Sequence, residues 1–248
     1  EAADGPVRVE PELFDLLDRC LRWSRESDGA FDVTVGPLMK AWGFFRDEGR
    51  VPGKEELARA LEVVGYRHVA LDRERGTVRF ERPGVELDLG GIGKGYAVDR
   101  VVELLRRRGI ESALVNLGGS SVYGLAAPPG REAWEIGIQD PTHPANMALT
   151  ISLRDRALSV SGGYARFFEQ DGVTYAHVMD PRTGRPVQGL LSVAVLSTSA
   201  TDGDALDNVL FVEGPDRAGP FLERRPSTEA FFFLPKPGGT WSLVRHGR

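Results

Sequence analysis

The sequence predicts an α+β fold, a single domain over residues 1–248 in which largely antiparallel sheets pack with a few helices. Short strand-like runs follow one another directly and are only sometimes interrupted by amphipathic helices, a pattern that favours antiparallel pairing. The 30 glycines and 16 prolines supply tight turns for which a helical bundle has little use. At 248 residues, 41% hydrophobic and 27% charged, the chain can bury a core and is neither disordered nor fibrous in composition.

Pro11 to Glu26 places Leu13, Phe14, Leu17, Cys20, Leu21 and Trp23 at helical spacing, and Gly29 ends the run. Gly53 to Gly65 reads as a second helix, with Leu57, Leu61 and Val64 on one face. Tyr66–Asp72 and Thr77–Glu81 flank Arg73-Glu74-Arg75-Gly76 as a hairpin. Val85–Leu89 reads as a strand running into Gly90-Gly91-Ile92-Gly93-Lys94-Gly95, after which Ala97, Val98, Val101, Val102, Leu104 and Leu105 mark a helix. Its end carries Arg106-Arg107-Arg108, where cations complement the helix dipole. Strands are expected at 112–117, 132–139, 148–153, 157–161, 173–179 and 191–197, then a helix at about 201–212 and closing strands at 229–234 and 241–244.

Charge and cysteine usage exclude several classes. The net charge of −5 gives no general footprint for nucleic acid. A lone cysteine, Cys20, rules out an intramolecular disulfide, and among Leu16, Leu17 and Leu21 it reads as a small buried hydrophobe. No apolar run is long enough for a transmembrane segment. Glu1-Ala2-Ala3-Asp4 has neither Met nor a leader pattern, so the expectation is a removed leader or a start part-way through a longer protein.

Three segments carry candidate chemistry. The glycine-rich turn ends at a helix N-terminus, where close backbone approach and unpaired N–H groups favour an anion. It is not a P-loop, since Asp88 stands where the first glycine belongs and Gly95 where Ser or Thr belongs. It is not a Rossmann turn either, because Tyr96 replaces the last glycine. The residues alone leave open a turn built for packing. The second segment, Thr201-Asp202-Gly203-Asp204-Ala205-Leu206-Asp207-Asn208, lacks the EF-hand glycine. Asp204 and Asn208, four apart, share a helix face and offer oxygens suited to a hard cation such as Mg²⁺, while helix capping is the plainer reading. The third is His177, expected on one strand face with Tyr175 and Met179 beside the turn Asp180-Pro181-Arg182-Thr183-Gly184. It is a candidate acid or base as well as a structural histidine. His68, His143 and His246 have no such company.

Together these segments resemble the FAD:protein FMN transferase (ApbE, flavin transferase) family. The matching blocks are Gly29-Ala30-Phe31-Asp32-Val33-Thr34-Val35-Gly36-Pro37-Leu38, the stretch from Asp88 to Asp99, and Val115-Asn116-Leu117-Gly118-Gly119. They continue through Ser161-Gly162-Gly163-Tyr164, His177 to Gly184, and Asp204-Ala205-Leu206-Asp207-Asn208, in the family's order. The resemblance implies an ApbE-type fold and Mg²⁺-dependent splitting of FAD. FMN would pass through a phosphoester to a Thr or Ser of an acceptor flavoprotein, and AMP would be released. It implies a metal held by the Gly93 carbonyl, Asp204 and Asn208, with His177 as base for the acceptor hydroxyl. Lys94, Asp180 and Thr183 would line the diphosphate and catalytic pocket. Thr34, Pro37, Trp42, Asn116, Gly118 and Gly119 would lie nearer the flavin, and Asp88 also counts among the cofactor-binding residues.

Two departures follow from the same comparison. Asn208 stands where the family has Thr, which shifts the neutral oxygen offered to the metal. The family's N-terminal strand and helix, part of its flavin pocket, are expected to be missing before Glu1. An FAD pyrophosphatase, or an FAD-binding protein without chemistry, are the alternatives. Self-modification is not expected, because Tyr175 follows Asp171-Gly172-Val173-Thr174 where the acceptor signature requires glycine. The resemblance places the activity outside the cytoplasmic membrane, although no leader is visible.

Overall fold

The computed structural model describes residues 4–46, 48–164 and 166–247. In chain order the elements begin with β1 (Val7–Arg8), α1 (Pro11–Glu26), α2 (Gly36–Ala41), α3 (Lys54–Val63), β2 (Val69–Asp72), β3 (Thr77–Phe80) and α4 (Gly93–Arg107). Next come β4 (Ala113–Leu117), β5 (Ser121–Leu125), β6 (Trp134–Gln139), β7 (Met147–Leu153), β8 (Arg156–Gly162), β9 (Phe167–Gln170) and β10 (Val173–Ala176). The chain ends with β11 (Met179–Asp180), β12 (Arg185–Pro186), β13 (Ser192–Ser197), α5 (Ala200–Glu213), α6 (Gly219–Glu223), β14 (Glu229–Lys236) and β15 (Thr240–Gly247). They divide into two compact units, Glu1–Leu89 with Ala165–Val187, and Gly90–Tyr164 with Gln188–Arg248.

The first unit rests α1 on a small antiparallel sheet of order β1-β3-β2. The apolar stripe of α1 supplies Leu17 and Leu21, which bury against Val69, Val78 and Val85. Cys20 on the same helix is fully buried, as its apolar neighbours predict, and burial pushes its thiol up to about 12. A second cluster gathers Leu38, Trp42, Phe44 and Met179, with Leu57 and Leu61 of α3 packed on it. Pro37 sits in the first turn of α2, where a missing N–H costs nothing.

Some expectations for this unit need correction. Val85–Leu89 joins no sheet ladder, and the Asp88 N–H goes to the Val33 carbonyl instead (2.7 Å). Tyr66–His68 forms a 3₁₀ turn, so the hairpin's first strand starts only at Val69. The strand expected at 173–179 breaks at His177. There β10 has finished its pairing with β9, the His177 N–H caps the Arg166 carbonyl (3.0 Å), and the chain turns into the β11–β12 pair. His177 therefore lies in a bend and does not alternate with Tyr175 and Met179 along one strand.

The second unit is built on a six-stranded antiparallel sheet of order β15-β14-β13-β8-β5-β4. Period-two alternation divides its side chains between two layers. Val122, Leu158, Ala194, Leu196, Phe231 and Phe233 face the β6–β7 ribbon, which contributes Ile138, Ile151 and Leu153. Tyr123, Leu125 and Ala157 face the other way, against Val98 and Val102 of α4 and Ala200 of α5. This second layer fixes α4 and α5 to one another, and both chemically interesting helix starts lie on it. Among the described residues no helix is long and apolar enough to cross a membrane.

Candidate active site

The start of α4 meets α5 so closely that only glycine fits. A Cβ at Gly95 would stand 2.1 Å from the Ala200 carbonyl oxygen and 2.8 Å from Asp204 Cβ. The approach lets the Gly95 N–H, one of the donors a helix start leaves unused, give its hydrogen to Asp204 Oδ2 (2.9 Å). The reciprocal contact runs the other way. Asp99 of α4 accepts from Ser199 Oγ (2.8 Å), the Ala200 N–H (2.9 Å), the Thr201 N–H (2.9 Å) and Thr201 Oγ1 (2.6 Å), all at the start of α5. Each helix thus caps the other with a carboxylate, an arrangement favoured by both dipoles.

Asp204 is 3% exposed, and its Oδ1 accepts from Ser121 Oγ (3.3 Å) and lies 4.0 Å from Lys94 Nζ. Burial pushes its carboxyl up, opposed by Lys94 and by the donors Gly95 and Ser121. Lys94 also reaches the Gly90 carbonyl (3.4 Å). The Asn208 amide nitrogen donates to the Asp204 carbonyl (2.8 Å), Asp207 Oδ1 (2.8 Å) and, more loosely, the Gly91 carbonyl (3.4 Å). The last contact ties the glycine turn to the middle of α5. Gly91 and Gly95 are both anchored to α5 in this way, and Gly93 lies between them as the first residue of α4.

Asp207 is the residue sequence reasoning undervalued. It is fully buried; Oδ1 accepts from Ser161 Oγ (2.9 Å) as well as from Asn208, while Oδ2 has no hydrogen-bond partner. Burial, and then the neighbouring Asp204 charge, push its carboxyl well up. Ser121 was missed altogether, because nothing in a short serine-led strand signals a contact with a residue on α5. Near Lys94, the β4–β5 turn carries Gly118 and Gly119 at positive φ (64° and 72°), with the Gly119 N–H bound by Asn116 Oδ1 (2.9 Å). A Cβ on Gly118 would lie 3.9 Å from Lys94 Cδ, so turn and lysine are neighbours.

The remaining sequence candidates belong to the first unit. His177 is half-buried, with Nδ1 3.2 Å from the Arg166 carbonyl. Asp180 is gripped by Arg182 through Nε (2.9 Å) and Nη2 (3.2 Å), and its carbonyl accepts from the Thr183 and Gly184 N–H groups (3.2 and 2.9 Å). Thr183 is exposed at the tip of that turn. Thr34 and Trp42 are buried, and their polar atoms are spent within the unit. Thr34 Oγ1 donates to Asp32 Oδ1 (2.7 Å) and accepts from the Gly65 N–H (2.7 Å), and Trp42 Nε1 donates to the Gly184 carbonyl (2.8 Å).

Among the described residues no cluster of three or more His, Cys, Asp or Glu side chains is assembled for a metal. The donor set at the α4–α5 junction is instead carboxylate, amide and main-chain carbonyl oxygen beside one ammonium group. Such a set suits a hard cation that shares its coordination with phosphate oxygens. Fold and site therefore describe an α+β protein in which oxygen donors and one ammonium group gather at a single helix junction.

The chain belongs to the ApbE family, whose model matches residues 1–232. It is 36% identical to an FAD:protein FMN transferase of Treponema pallidum over 95% of this chain and 69% of that protein. It is also 36% identical to an FAD:protein FMN transferase of Klebsiella pneumoniae, over 93% of this chain and 72% of the relative. Among solved structures, the ApbE protein of Thermotoga maritima superposes with a TM-score of 0.89 at 33% identity, covering 98% of this chain and 78% of its own. The apo flavinyl transferase ApbE of Pseudomonas stutzeri gives 0.84 at 30% identity, covering 98% and 75%.

Proposed function

We propose that the chain splits FAD at its diphosphate bridge, passes the FMN half to a Thr or Ser hydroxyl of an acceptor flavoprotein, and releases AMP. Transfer of FMN from FAD to protein is the activity for which its relatives are named, and the chain is a transferase of that kind. The observation that carries the reading is the seating of Asp204 against the first turn of α4 beside Lys94. A helix start, an ammonium group and a carboxylate converge there, so a diphosphate and a divalent cation can be met at one place.

We assign Mg²⁺ as that cation, to be held by the Gly93 carbonyl, Asp204 and Asn208. The all-oxygen donor set fits it. When bound, it supplies charge neutralisation on the diphosphate oxygens. Lys94 adds an ammonium group for the same oxygens. Asn116, Gly118 and Gly119 are assigned to the cofactor through their turn, and Asp88, Thr34, Pro37 and Trp42 through the backbone they help to shape. In the transfer step the acceptor oxygen bonds to the FMN phosphorus. The bond from that phosphorus to the bridging oxygen breaks, and AMP leaves with the bridging oxygen. The hydroxyl proton passes to His177. In the tautomer that donates from Nδ1 to the Arg166 carbonyl, the Nε2 lone pair receives it. Asp180 and Thr183 set the turn beyond the histidine. We further place this activity outside the cytoplasmic membrane, to be checked by cell fractionation.

Incubation with FAD, Mg²⁺ and an acceptor domain bearing a Thr flavinylation sequence tests the reading, with AMP followed by chromatography and the acceptor by mass spectrometry. Equal yields of AMP and acceptor carrying one FMN are expected. AMP with free FMN and unlabelled acceptor would assign a pyrophosphatase, and absence of both products a flavin binder.

A further inference from the structure

Asp207 is left over once Asp204 and Asn208 have been given their parts. On α5 it lies three residues from Asp204 and next to Asn208, so it shares their side of the helix. It is 0% exposed, Ser161 Oγ and the Asn208 amide both donate to Oδ1, and Oδ2 is buried without any hydrogen-bond partner. A buried carboxylate oxygen without a partner is costly when the group is charged. A hydrogen placed on Oδ2 would equally lack an acceptor. Lys94 gives the orphan no hydrogen bond and acts on Asp207 only through space, its ammonium group being directed to Asp204 Oδ1 (4.0 Å) and the Gly90 carbonyl (3.4 Å).

We infer that Asp207 is a second carboxylate of the cation site, its Oδ2 meeting the divalent ion directly or through an ion-bound water. The inference rests on the proposed cation reading of Asp204 and Asn208 and adds to it a ligand on this chain's own helix. A divalent ion at the junction would draw the proton from Oδ2 and set two carboxylates against one lysine and the ion's own charge, a balance that water or a hydrogen cannot supply there. Ser161 and Asn208 occupy Oδ1, which leaves Oδ2 as the oxygen that can take a ligand. Asn208, whose amide nitrogen is committed to Asp207 and to backbone carbonyls, acts here as a positioning residue for its neighbour.

The test titrates Mn²⁺ into the full chain without FAD by isothermal calorimetry, for the wild type, Asp204→Ala, Asp207→Asn and Asp207→Ala. Circular dichroism of each variant without metal establishes that it is folded. The wild type is expected to bind, and Asp207→Asn, which preserves shape while removing the charge, to weaken binding tenfold or more. Wild-type binding that Asp204→Ala abolishes and Asp207→Asn leaves within twofold overturns this inference alone. No binding by the wild type overturns the cation reading as well. If the Asp207 variants do not fold, an anomalous map of Mn²⁺-soaked wild-type crystals decides. A peak about 2.2 Å from Oδ2, or about 4 Å away with a bridging water, is expected, and a peak farther off refutes the assignment.

Discussion

Replacing Gly95 with alanine should damage stability and cation binding together, because one backbone crossing serves both. The added Cβ would lie 2.1 Å from the Ala200 oxygen, 2.6 Å from the Ala200 carbonyl carbon and 2.8 Å from Asp204 Cβ. Ordinary carbon contacts need about 3.5–4.0 Å, so α5 must retreat by about 1 Å or more. Overpacking of this sort costs about 1–3 kcal/mol. Losing the charge-assisted bond from the Gly95 N–H to Asp204 adds about 1.5–3 kcal/mol. Alanine's better helix propensity returns about 1 kcal/mol, leaving a net loss of about 1.5–5 kcal/mol. For a chain of this size that corresponds to a melting temperature lower by about 3–20 °C. Thermal denaturation followed by circular dichroism measures the first effect, and Mn²⁺ titration at a temperature where the variant is folded measures the second. A melting temperature within about 2 °C of wild type, less than 1 kcal/mol would produce, with undiminished Mn²⁺ affinity would show that α4 and α5 do not meet as described.

Asp99→Ala removes the acceptor that serves four donors at the start of α5, and should lower the urea midpoint by the equivalent of about 2–4 kcal/mol; a change below about 0.5 kcal/mol would refute the cross-capping account. His177→Ala should reduce acceptor labelling by about 10²-fold or more while leaving Mn²⁺ affinity unchanged, and full labelling in that variant would remove the base assignment. Cys20 should resist iodoacetamide at pH 8 in the folded chain and react once urea unfolds it, since its thiol is pushed up to about 12 by burial. The sign of its linkage follows. With the folded value above the ordinary 9.0, its contribution is fully present below pH 9 and is lost as pH rises towards 12, at up to about 1.4 kcal/mol per pH unit. Rapid native-state labelling at pH 8 would contradict the burial of α1.

The long, strongly periodic segments were legible. α1 runs from Pro11 to Glu26 as its apolar stripe predicts, and the late helix and closing strands lie within a few residues of expectation. β5 was not legible, although it occupies an interior position in the main sheet. Every residue of Ser121–Leu125 is buried, so no alternation marks it, and Gly124 is there because Leu153 Cβ would come within 2.8 Å of any Cβ. α2 was hidden by its six-residue length, and Pro37, read as a ligand-lining residue, also sits in its first turn.

At the site, spacing placed Asp204 and Asn208 on one helix face, and the glycine turn was recognisable as a helix start, with anion binding and close packing both left open. Spacing could not show that Asp204 would be claimed by the Gly95 N–H of another helix, nor that Asn208 would turn its amide nitrogen inward. The first is a consequence of tertiary packing through Gly95; the second is a local contact of α5, whose side-chain direction spacing alone does not set. Asp207 was read as one more acid at a helix start, because the feature that distinguishes it, an oxygen buried without a partner, exists only in three dimensions.

Central to the proposed chemistry is a divalent ion, held between the glycine turn and α5, that makes the FAD diphosphate cleavable. AMP release from FAD measures this most directly, run on metal-stripped wild type and Asp204→Ala, each before and after adding Mg²⁺. The wild type should be silent when stripped and regain AMP release with Mg²⁺, while Asp204→Ala stays silent in both. Undiminished AMP release from stripped wild type, or from Asp204→Ala supplied with Mg²⁺, would contradict it.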